Sequence, residues 1–489
     1  MQPQPPGAER PSLTRARVGL FLGVALFFVV LLLPPPGGMP LPAWRTAAVA
    51  VLMATWWVSE AVPIPATALL PLALFPVLGI MPIGEASAPF ANPVIYLFLG
   101  GFLLALAVEK CGLHRRIALR VIAVVGTRPA NLIGGFMVAT ALLSMWVSNT
   151  AAVIMMLPVA HSVIRLMRGL GGGGKRDDAN FAIAILLGVA YAASIGGIGT
   201  LIGTPPNALL AGFMSEVYGV RIGFAQWMLF GVPIVVVGVP LAWVLLTRLV
   251  FPVGRDAVVG SAELIDDERR ALGRRTSAET RVAMVGAAMA LAWMTQPLLE
   301  RVVPGLSDTG IAIGGALLLF LMPVDWRRGQ FALHWKEAER LPWAVLVLFG
   351  GGLSLAAAIQ GTGLSAWIGE QMQGLQALPL VAVTLLVVTV IVFLTELTSN
   401  TATAAAFLPV VAATAVALGA DPLVLAIPAA VGASCAFMLP VATPPNAIVY
   451  GTGDVTIPQM VRAGFWLNLI MITLLTIAVF TVGRVVIPG

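Results

Sequence analysis

Apolar segments long enough to cross a bilayer recur along the whole chain, and this feature constrains the fold more than any other. Hydrophobic residues make up 59% of the 489 residues and charged residues only 10%, whereas a soluble domain carries about 25% charged residues. A helical span needs roughly 20 mostly apolar residues. The runs are continuous and lack the period of two that membrane strands show. The sequence therefore predicts an all-α polytopic membrane protein.

The basic residues indicate how the chain is oriented. The formal net charge is +6, but the Lys and Arg residues lie between apolar runs, which argues against a nucleic-acid partner. Cytoplasmic loops of membrane proteins are enriched in Lys and Arg. With a cytoplasmic N-terminus, 24 of the 28 basic residues fall on the inner side, within 1–17, 110–128, 165–176, 248–281, 327–340 and at 462. We expect a multi-pass protein of the cell (inner) membrane, with the lipid bilayer as its surroundings.

The two halves of the chain carry the same motifs in the same order. Three pairs of segments match: 98–113 with 349–364, 148–159 with 399–410, and 204–208 with 443–447. The first two pairs are 251 residues apart and the third is 239 residues apart. The difference between these two separations equals the length of a polar segment at 169–180, which is present only in the first half. The chain is therefore expected to contain two homologous repeats.

Each repeat contains two apolar segments that cannot be simple spans. One is too long for a single span and has Ser-Asn-Thr near its centre, and the other is interrupted by Thr-Pro-Pro-Asn, where prolines disrupt a helix. We interpret these as re-entrant hairpins at 130–166 and 378–417 and broken helices at 181–218 and 422–451. About eleven transmembrane helices remain, one leader and five per repeat. An odd number per repeat requires inverted topology, which is typical of secondary transporters.

These segments define the expected domain organisation. It comprises a cytoplasmic basic tail (1–17), a leading transmembrane helix (18–42), repeat 1 (43–252), a charged cytoplasmic linker (253–280) and repeat 2 (281–489).

The four breaks predict a polar site inside the membrane. Unpaired backbone groups in hydrocarbon cost several kcal/mol each, so such breaks must lie within protein or along an aqueous cavity. Helix N-termini attract anions, whereas free carbonyl, Asn and Ser oxygens suit a hard cation such as Na⁺. No Lys or Arg lies in either hairpin core. Bound cations would therefore offset the charge of a dianion, although helix dipoles alone remain an alternative.

The motifs resemble those of the divalent anion–sodium symporter family. The resemblance is carried by SMWVSNTAAVIMMLP at 144–158, TELTSNTATAAAFLP at 395–409 and the paired TPPN segments. Members of that family transport dicarboxylates, citrate or sulfate with Na⁺. The resemblance implies a homodimer in which a moving transport domain slides against a fixed scaffold, the elevator mechanism.

The resemblance also implies the positions that bind substrate and cations. A small dianionic substrate would contact Ser148, Asn149, Thr150, Thr204, Ser399, Asn400, Thr401, Thr443 and Pro444. One Na⁺ site would use Ser144, Ser148, Asn149 and the Gly203 carbonyl. A second would use Thr395, Asn400 and the Ala442 carbonyl, with Thr398 nearby.

The favoured function is Na⁺-coupled uptake of C4-dicarboxylates such as succinate, malate or fumarate, with no enzymatic step. Sulfate or citrate symport, Na⁺-independent dicarboxylate exchange and an anion channel are the alternatives. Glu396 lies inside the second hairpin, and an intramembrane carboxylate is a functional candidate. We favour a structural hydrogen bond from Glu396 to a neighbouring span over tuning of a cation site or proton relay.

Overall fold

Helices make up most of the chain. The computed structural model describes residues 13–170, 175–254, 258, 260–372, 374 and 377–485. The helices up to the middle of the chain are α1 Leu13–Leu32, α2 Leu41–Ser59, α3 Ile64–Thr67, α4 Leu70–Val77, α5 Ile83–Ser87, α6 Pro93–Cys111, α7 Leu113–Val124, α8 Pro129–Ser144, α9 Asn149–Leu170, α10 Lys175–Gly197, α11 Pro205–Tyr218, α12 Phe224–Val244 and α13 Ser261–Ala271. Short 3-10 and π segments extend α5 and α12 at Ala88–Ala91 and Leu245–Val250.

The second half contains the remaining helices and one small hairpin. The helices are α14 Ser277–Met294, α15 Gln296–Leu299, α16 Asp308–Leu321, α17 Trp335–Ala338, α18 Trp343–Gly361, α19 Leu364–Gln371, α20 Leu380–Thr395, α21 Asn400–Ala417, α22 Leu423–Ala433, α23 Pro444–Tyr450 and α24 Ile457–Thr481. Strands β1 Pro323–Asp325 and β2 Gln330–Phe331 pair antiparallel. This hairpin is an exception to the all-helical prediction, and its turn contains Gly329 at φ 61°, where glycine has no steric cost.

The helices are long and apolar enough for a multi-pass membrane protein. Among the described residues, eight helical stretches meet the length and hydropathy of a span, and five shorter apolar helices accompany them. The shorter ones include α8 and α20, the first arms of the two expected hairpins. An arm of 16 residues extends about 24 Å, less than the roughly 30 Å hydrocarbon core. The total of eleven spans stays a prediction.

Matching elements follow one another in the same order in both halves. The helices α6 to α12 correspond in sequence to α18 to α24 in the matched segments. Between the first two helices of each series lie Gly112 and Gly363, at φ 76° and φ 83°, in the left-handed region that favours glycine. Thr204 and Thr443 precede the Pro-Pro pairs with nearly the same extended backbone, at φ −142° in both cases.

The broken helices lie at the centre of the molecule. The most apolar window of α10 is 89% buried, compared with 17% for α1 at the periphery. The helix α10 packs against the hairpin arms α8 and α9, and α22 packs against α20 and α21. The helix α11 of the first half also contacts α21 and α22 of the second. This packing places the two hairpins around the breaks at 198–204 and 434–443.

Three boundaries differ from the sequence prediction. Helix α1 begins at Leu13 within the expected tail, because Arg15 and Arg17 are good helix formers and charge alone does not end a helix. The charged linker contains α13, and α14 begins at Ser277 behind a Thr276–Glu279 capping box. Helix α10 begins at Lys175, inside the expected polar segment. Residues 1–12 of the tail lie outside the described residues.

Candidate functional site

The tip of the first hairpin forms a cluster of oxygen atoms. Ser144 ends α8 and Asn149 begins α9, so the intervening turn brings their side chains together. The Ser144 hydroxyl lies 2.6 Å from Asn149 Oδ1 and 2.7 Å from the Ala193 carbonyl oxygen on α10. Ser144 is fully buried and Asn149 is half-buried. Three oxygens from two hairpin arms and the broken helix therefore converge.

The second hairpin repeats this geometry with different residues. Thr395 ends α20 and Asn400 begins α21. The Thr395 hydroxyl lies 2.9 Å from Asn400 Oδ1 and 2.8 Å from the Ala433 carbonyl oxygen on α22. A hydroxyl, an amide oxygen and a carbonyl oxygen from corresponding elements thus form the same cluster in both repeats.

A pair of glycines brings the first broken helix against Asn149. A Cβ placed on Gly197 would lie 2.7 Å from Asn149 Oδ1 and 3.1 Å from the Gly203 carbonyl oxygen. A Cβ on Gly203 would clash with the Gly197 carbonyl. The absence of side chains at both positions allows this approach. Ser144, Asn149 and Gly203, three of the four residues expected at the first cation site, are therefore brought together.

Ser148, the fourth residue, lies at the exposed hairpin tip. Its hydroxyl accepts a hydrogen bond from the Ala151 backbone N–H at 3.3 Å, which satisfies one of the free donors at the start of α9.

The second expected cation set is brought together only in part. Thr395 and Asn400 are in contact, but Thr398 donates to the Leu394 carbonyl at 3.0 Å and pairs with Thr403 Oγ1 at 2.6 Å. These partners lie outside the expected set. Ala442 is buried just before the N-cap of α23. In the described residues, no side-chain hydrogen bond joins Thr398 to Asn400.

Two asparagines that were not predicted as site residues hold the breaks open. Asn207 Nδ2 donates to the carbonyls of Gly197 and Thr200 at 3.1 Å and 2.8 Å. Asn446 Nδ2 donates in the same way to the carbonyls of Ala436 and Leu439 at 3.2 Å and 3.0 Å. The sequence signal was available, because each is the Asn of a TPPN motif.

These asparagines also have oxygens that the described residues leave unpaired. Both side chains are fully buried, yet Asn207 Oδ1 and Asn446 Oδ1 have no hydrogen-bond partner within the described ranges. Buried polar atoms are normally satisfied. The two oxygens are therefore available to water or to an ion at the breaks.

Glu396 holds the second break through backbone groups. Its carboxylate accepts hydrogen bonds from the backbone N–H groups of Phe437, Met438 and Leu439 at 2.7–3.2 Å. Asn468 Nδ2 on α24 donates to the same carboxylate at 2.8 Å. The structure thus shows the hydrogen bond to a neighbouring helix that we favoured. Met145 occupies the corresponding position in the first hairpin.

The two repeats meet through Thr204. Its hydroxyl lies 3.3 Å from Ser434 Oγ in the second break. The corresponding Thr443 instead accepts a hydrogen bond from the Asn446 backbone N–H at 3.2 Å, as an N-cap. Both threonines are almost fully buried. Their contribution in this conformation is therefore to position the breaks.

The other expected substrate residues differ in exposure. Ser148 and Pro444 are exposed, Asn149, Thr150, Ser399 and Asn400 are half-buried, and Thr401 is buried. Helices α9, α11 and α21 all begin at these motifs. Their N-termini carry partial positive charge and free N–H groups.

A cavity of about 440 Å³ reaches the second hairpin tip. Ser399 and Thr401 line this cavity, together with residues from the segment after α2 and from the start of α18. Among the described residues that line it, Glu60 carries the one formal charge. Glu60 has φ 52°, and it is the one described non-glycine residue with a positive φ.

The kinds of side chain present limit what ion could bind here. The described residues contain no group of three or more His, Cys, Asp or Glu residues arranged to hold a metal. The hairpin clusters offer only neutral hydroxyl, amide and carbonyl oxygens. Neutral oxygen ligands suit a hard cation rather than a transition metal.

Comparison with solved structures supports the fold. The structure resembles the YdaH transporter of Alcanivorax borkumensis, with a TM-score of 0.56 and 16% identity over 92% of this chain and 100% of that chain. It also resembles MtrF of Neisseria gonorrhoeae, with a TM-score of 0.56 and 15% identity over 93% of this chain and 98% of that chain.

Comparison with known sequences assigns the family. The chain is 42% identical to the sodium-dependent dicarboxylate transporter SdcS of Staphylococcus saprophyticus, over 95% of this chain and 90% of the relative. It is 39% identical to SdcS of Staphylococcus aureus MRSA252, over 98% of this chain and 93% of the relative. The model of the sodium:sulfate symporter transmembrane region matches residues 14–488. The chain therefore belongs to the sodium:sulfate symporter family, as its duplicated motifs suggested.

Proposed function

We propose that this protein is a secondary transporter that couples inward Na⁺ movement to uptake of C4-dicarboxylates such as succinate, malate or fumarate. The observation that carries the proposal is the repeated oxygen cluster, Ser144–Asn149–Ala193 in one hairpin and Thr395–Asn400–Ala433 in the other. The relatives named as sodium-dependent dicarboxylate transporters support the choice of ion and substrate.

Proton counting supports the two proposed cation sites. A hydroxyl carries one proton, but each cluster places two acceptor oxygens within 2.9 Å of its hydroxyl. One acceptor in each cluster therefore lacks a proton from that hydroxyl. A small cation between the oxygens would satisfy them all, with Gly203 and Ala442 supplying further carbonyls. Asn207 Oδ1 and Asn446 Oδ1 are additional buried acceptors at the breaks.

The charge of the cavity lining bears on how a dianion would bind in it. The cavity beside Ser399 and Thr401 has no basic residue among the described residues that line it, and Glu60 is acidic. Helix N-termini contribute roughly half a positive charge each, and bound Na⁺ would contribute the rest. Substrate would then bind well only when Na⁺ is bound. Such differential affinity is the source of coupling.

The contacts of α1 indicate from which side of the membrane the cavity could be reached. Arg15 on α1 donates to the Val58 carbonyl at the end of α2 and to the Leu397 carbonyl at the second hairpin tip, at 2.5 Å and 2.8 Å. This end of the α1–α2 pair also contains Glu60, at the cavity. With the N-terminus cytoplasmic, the cavity opens inward.

We further propose an elevator mechanism, a homodimer, and residence in the cell (inner) membrane.

The decisive experiment is uptake of labelled succinate into proteoliposomes with and without an inward Na⁺ gradient. Concentrative uptake that requires Na⁺ is expected, with sulfate and citrate as weak competitors. Sulfate is a specific alternative substrate, because the family is named for sodium:sulfate symport. Strong inhibition by sulfate would indicate that sulfate is the substrate, and the proposed Na⁺ coupling would stand. Uptake that ignores Na⁺ but needs internal dicarboxylate would indicate an exchanger, and flux without accumulation would indicate a channel. Either result would contradict the proposal.

Variants of the two cluster asparagines test the site. Asn149→Ala and Asn400→Ala each remove an amide oxygen from one cluster, and we expect uptake to fall by at least about 10–100-fold, the loss typical even when only a residue that orients a metal ligand is removed. Asn131→Ala is the matched control, because Asn131 is an exposed asparagine on the same hairpin. Retained uptake in both site variants, with the control unchanged, would refute the assignment.

A further inference from the structure

A second cavity lies away from the hairpins, between α7 and α13. Its volume is about 330 Å³, and it is lined by Arg116, Arg120, Asp266, Arg269, Arg270 and Leu272. Four of the six lining residues are arginines, and they come from two connecting helices. Arginine is the side chain best suited to phosphate, because its planar guanidinium donates two parallel hydrogen bonds.

The arginines differ in how far they are already paired. Arg116 donates to Glu279 at 3.0 Å and to the Gly273 carbonyl at 3.2 Å, so it fixes α7 against the start of α14. Arg269 and Arg270 form exposed pairs with Asp266 and Asp267 at 3.0 Å and 3.3 Å. Exposed pairs of this kind contribute little stability and are readily exchanged.

Arg120 is the arginine with free capacity. It is exposed, and within the described ranges it has no hydrogen bond or ion pair. Its five donors are therefore available to a ligand in the cavity.

The face of α7 that holds Arg120 is also apolar. Ile117 and Val124, three residues before and four residues after Arg120, are 38% and 87% exposed. Residues at these spacings lie on one face of a helix. A helix that exposes apolar side chains beside arginines is typical of the membrane interface, with the apolar face in the acyl region and the basic groups at the headgroups. The ligand expected here is therefore a lipid.

We propose that the cavity between α7 and α13 binds the phosphate group of an anionic phospholipid. The basic residues would hold the headgroup, and Ile117 and Val124 would contact the acyl chains. Helix α7 joins α6 to the first hairpin, and α13 lies between α12 and α14. A bound headgroup would therefore link two connectors and stabilise their packing.

The test measures thermal unfolding of the purified full-length protein in detergent, titrated with dioleoyl phosphatidylglycerol, dioleoyl phosphatidylcholine or inorganic phosphate. Phosphatidylglycerol is expected to raise the Tm saturably, and the other two are not. In Arg120→Gln the half-saturating phosphatidylglycerol concentration should rise about fivefold, the effect of one basic residue near a membrane surface. In R269Q/R270Q it should rise about 25-fold.

The control is Arg327→Gln, which removes another exposed arginine, in the β1–β2 turn. A response of Arg120→Gln equal to that of this control would overturn the proposal. Equal effects of the two lipids would do so as well, and saturation by inorganic phosphate at the same concentration would identify a site for free phosphate instead. Arg120→Gln removes no pairing seen among the described residues, so it decides the outcome even if the double variant does not fold.

Discussion

At the scale of single residues, the site depends on glycines as much as on polar side chains. Gly197 and Gly203 let two backbone segments and the Asn149 amide occupy one small volume. In the second break, Ala436 and Ala442 occupy the corresponding positions. The repeats therefore share their hydrogen-bond pattern but not their packing, and we expect the two proposed cation sites to differ in affinity.

Gly197→Ala tests this packing. The new Cβ would lie 2.7 Å from Asn149 Oδ1, a distance that forces the amide to move. We expect the Na⁺ concentration for half-maximal uptake to rise about 10–100-fold, the effect typical of disturbing a metal ligand. The measurement is Na⁺-dependent succinate uptake in proteoliposomes.

Gly314→Ala is the control for a glycine replaced within a helix. A Cβ at Gly314 meets no atom within 4 Å, so Na⁺ dependence should not change. If Gly197→Ala behaves like Gly314→Ala, Asn149 is not the ligand that we infer.

At the scale of elements, the two helix breaks at 198–204 and 434–443 are held by side chains that replace helical hydrogen bonds. Asn207 and Asn446 bond carbonyls that their helices leave free, and Glu396 bonds N–H groups in the second break. Such backbone is tolerated in a membrane only if its polar groups are satisfied within the protein. These side chains are therefore part of the reason that the breaks are stable.

Glu396→Gln tests the role of the carboxylate. The amide keeps one oxygen but turns its NH₂ toward backbone donors, and each unsatisfied buried group costs about 1–3 kcal/mol. We expect a lower Tm of unfolding and a weaker dependence of uptake on Na⁺. Glu85→Gln, at an exposed glutamate, is the control and should change neither quantity. An unchanged Tm would show that the carboxylate is not needed to hold the second break.

The sequence predicts the breaks better than the contacts that hold them. The family resemblance implies that Ser144 lies with Asn149 and Thr395 with Asn400, and in the structure the hydroxyl of each pair contacts the Asn Oδ1 across the hairpin turn. The partners of Glu396 lie 41 to 72 residues away, and sequence spacing carries no information on such contacts. The Thr398 hydroxyl contacts Thr403 Oγ1 at 2.6 Å instead of the expected cluster, and the sequence motifs gave no indication of this contact.

At the scale of the whole molecule, we propose that two cation clusters flank one anion site. The clusters belong to different repeats, and Thr204 and Ser434 connect their breaks. We propose that a dianion bound in this cavity, whose described lining residues include no Lys or Arg, gains affinity from each Na⁺ that binds first. In this proposal, coupling is a property of the duplicated fold, since either repeat alone would supply one cation.

The dependence of succinate uptake on Na⁺ concentration tests this claim most directly. Initial rates are measured in proteoliposomes at constant ionic strength and membrane potential, with choline replacing Na⁺. Two coupled sites predict a sigmoidal dependence with a Hill coefficient above 1. They also predict that Asn149→Ala and Asn400→Ala reduce the Hill coefficient toward 1 wherever enough uptake remains to measure it. A hyperbolic dependence for the unmodified protein would contradict the two-cluster account.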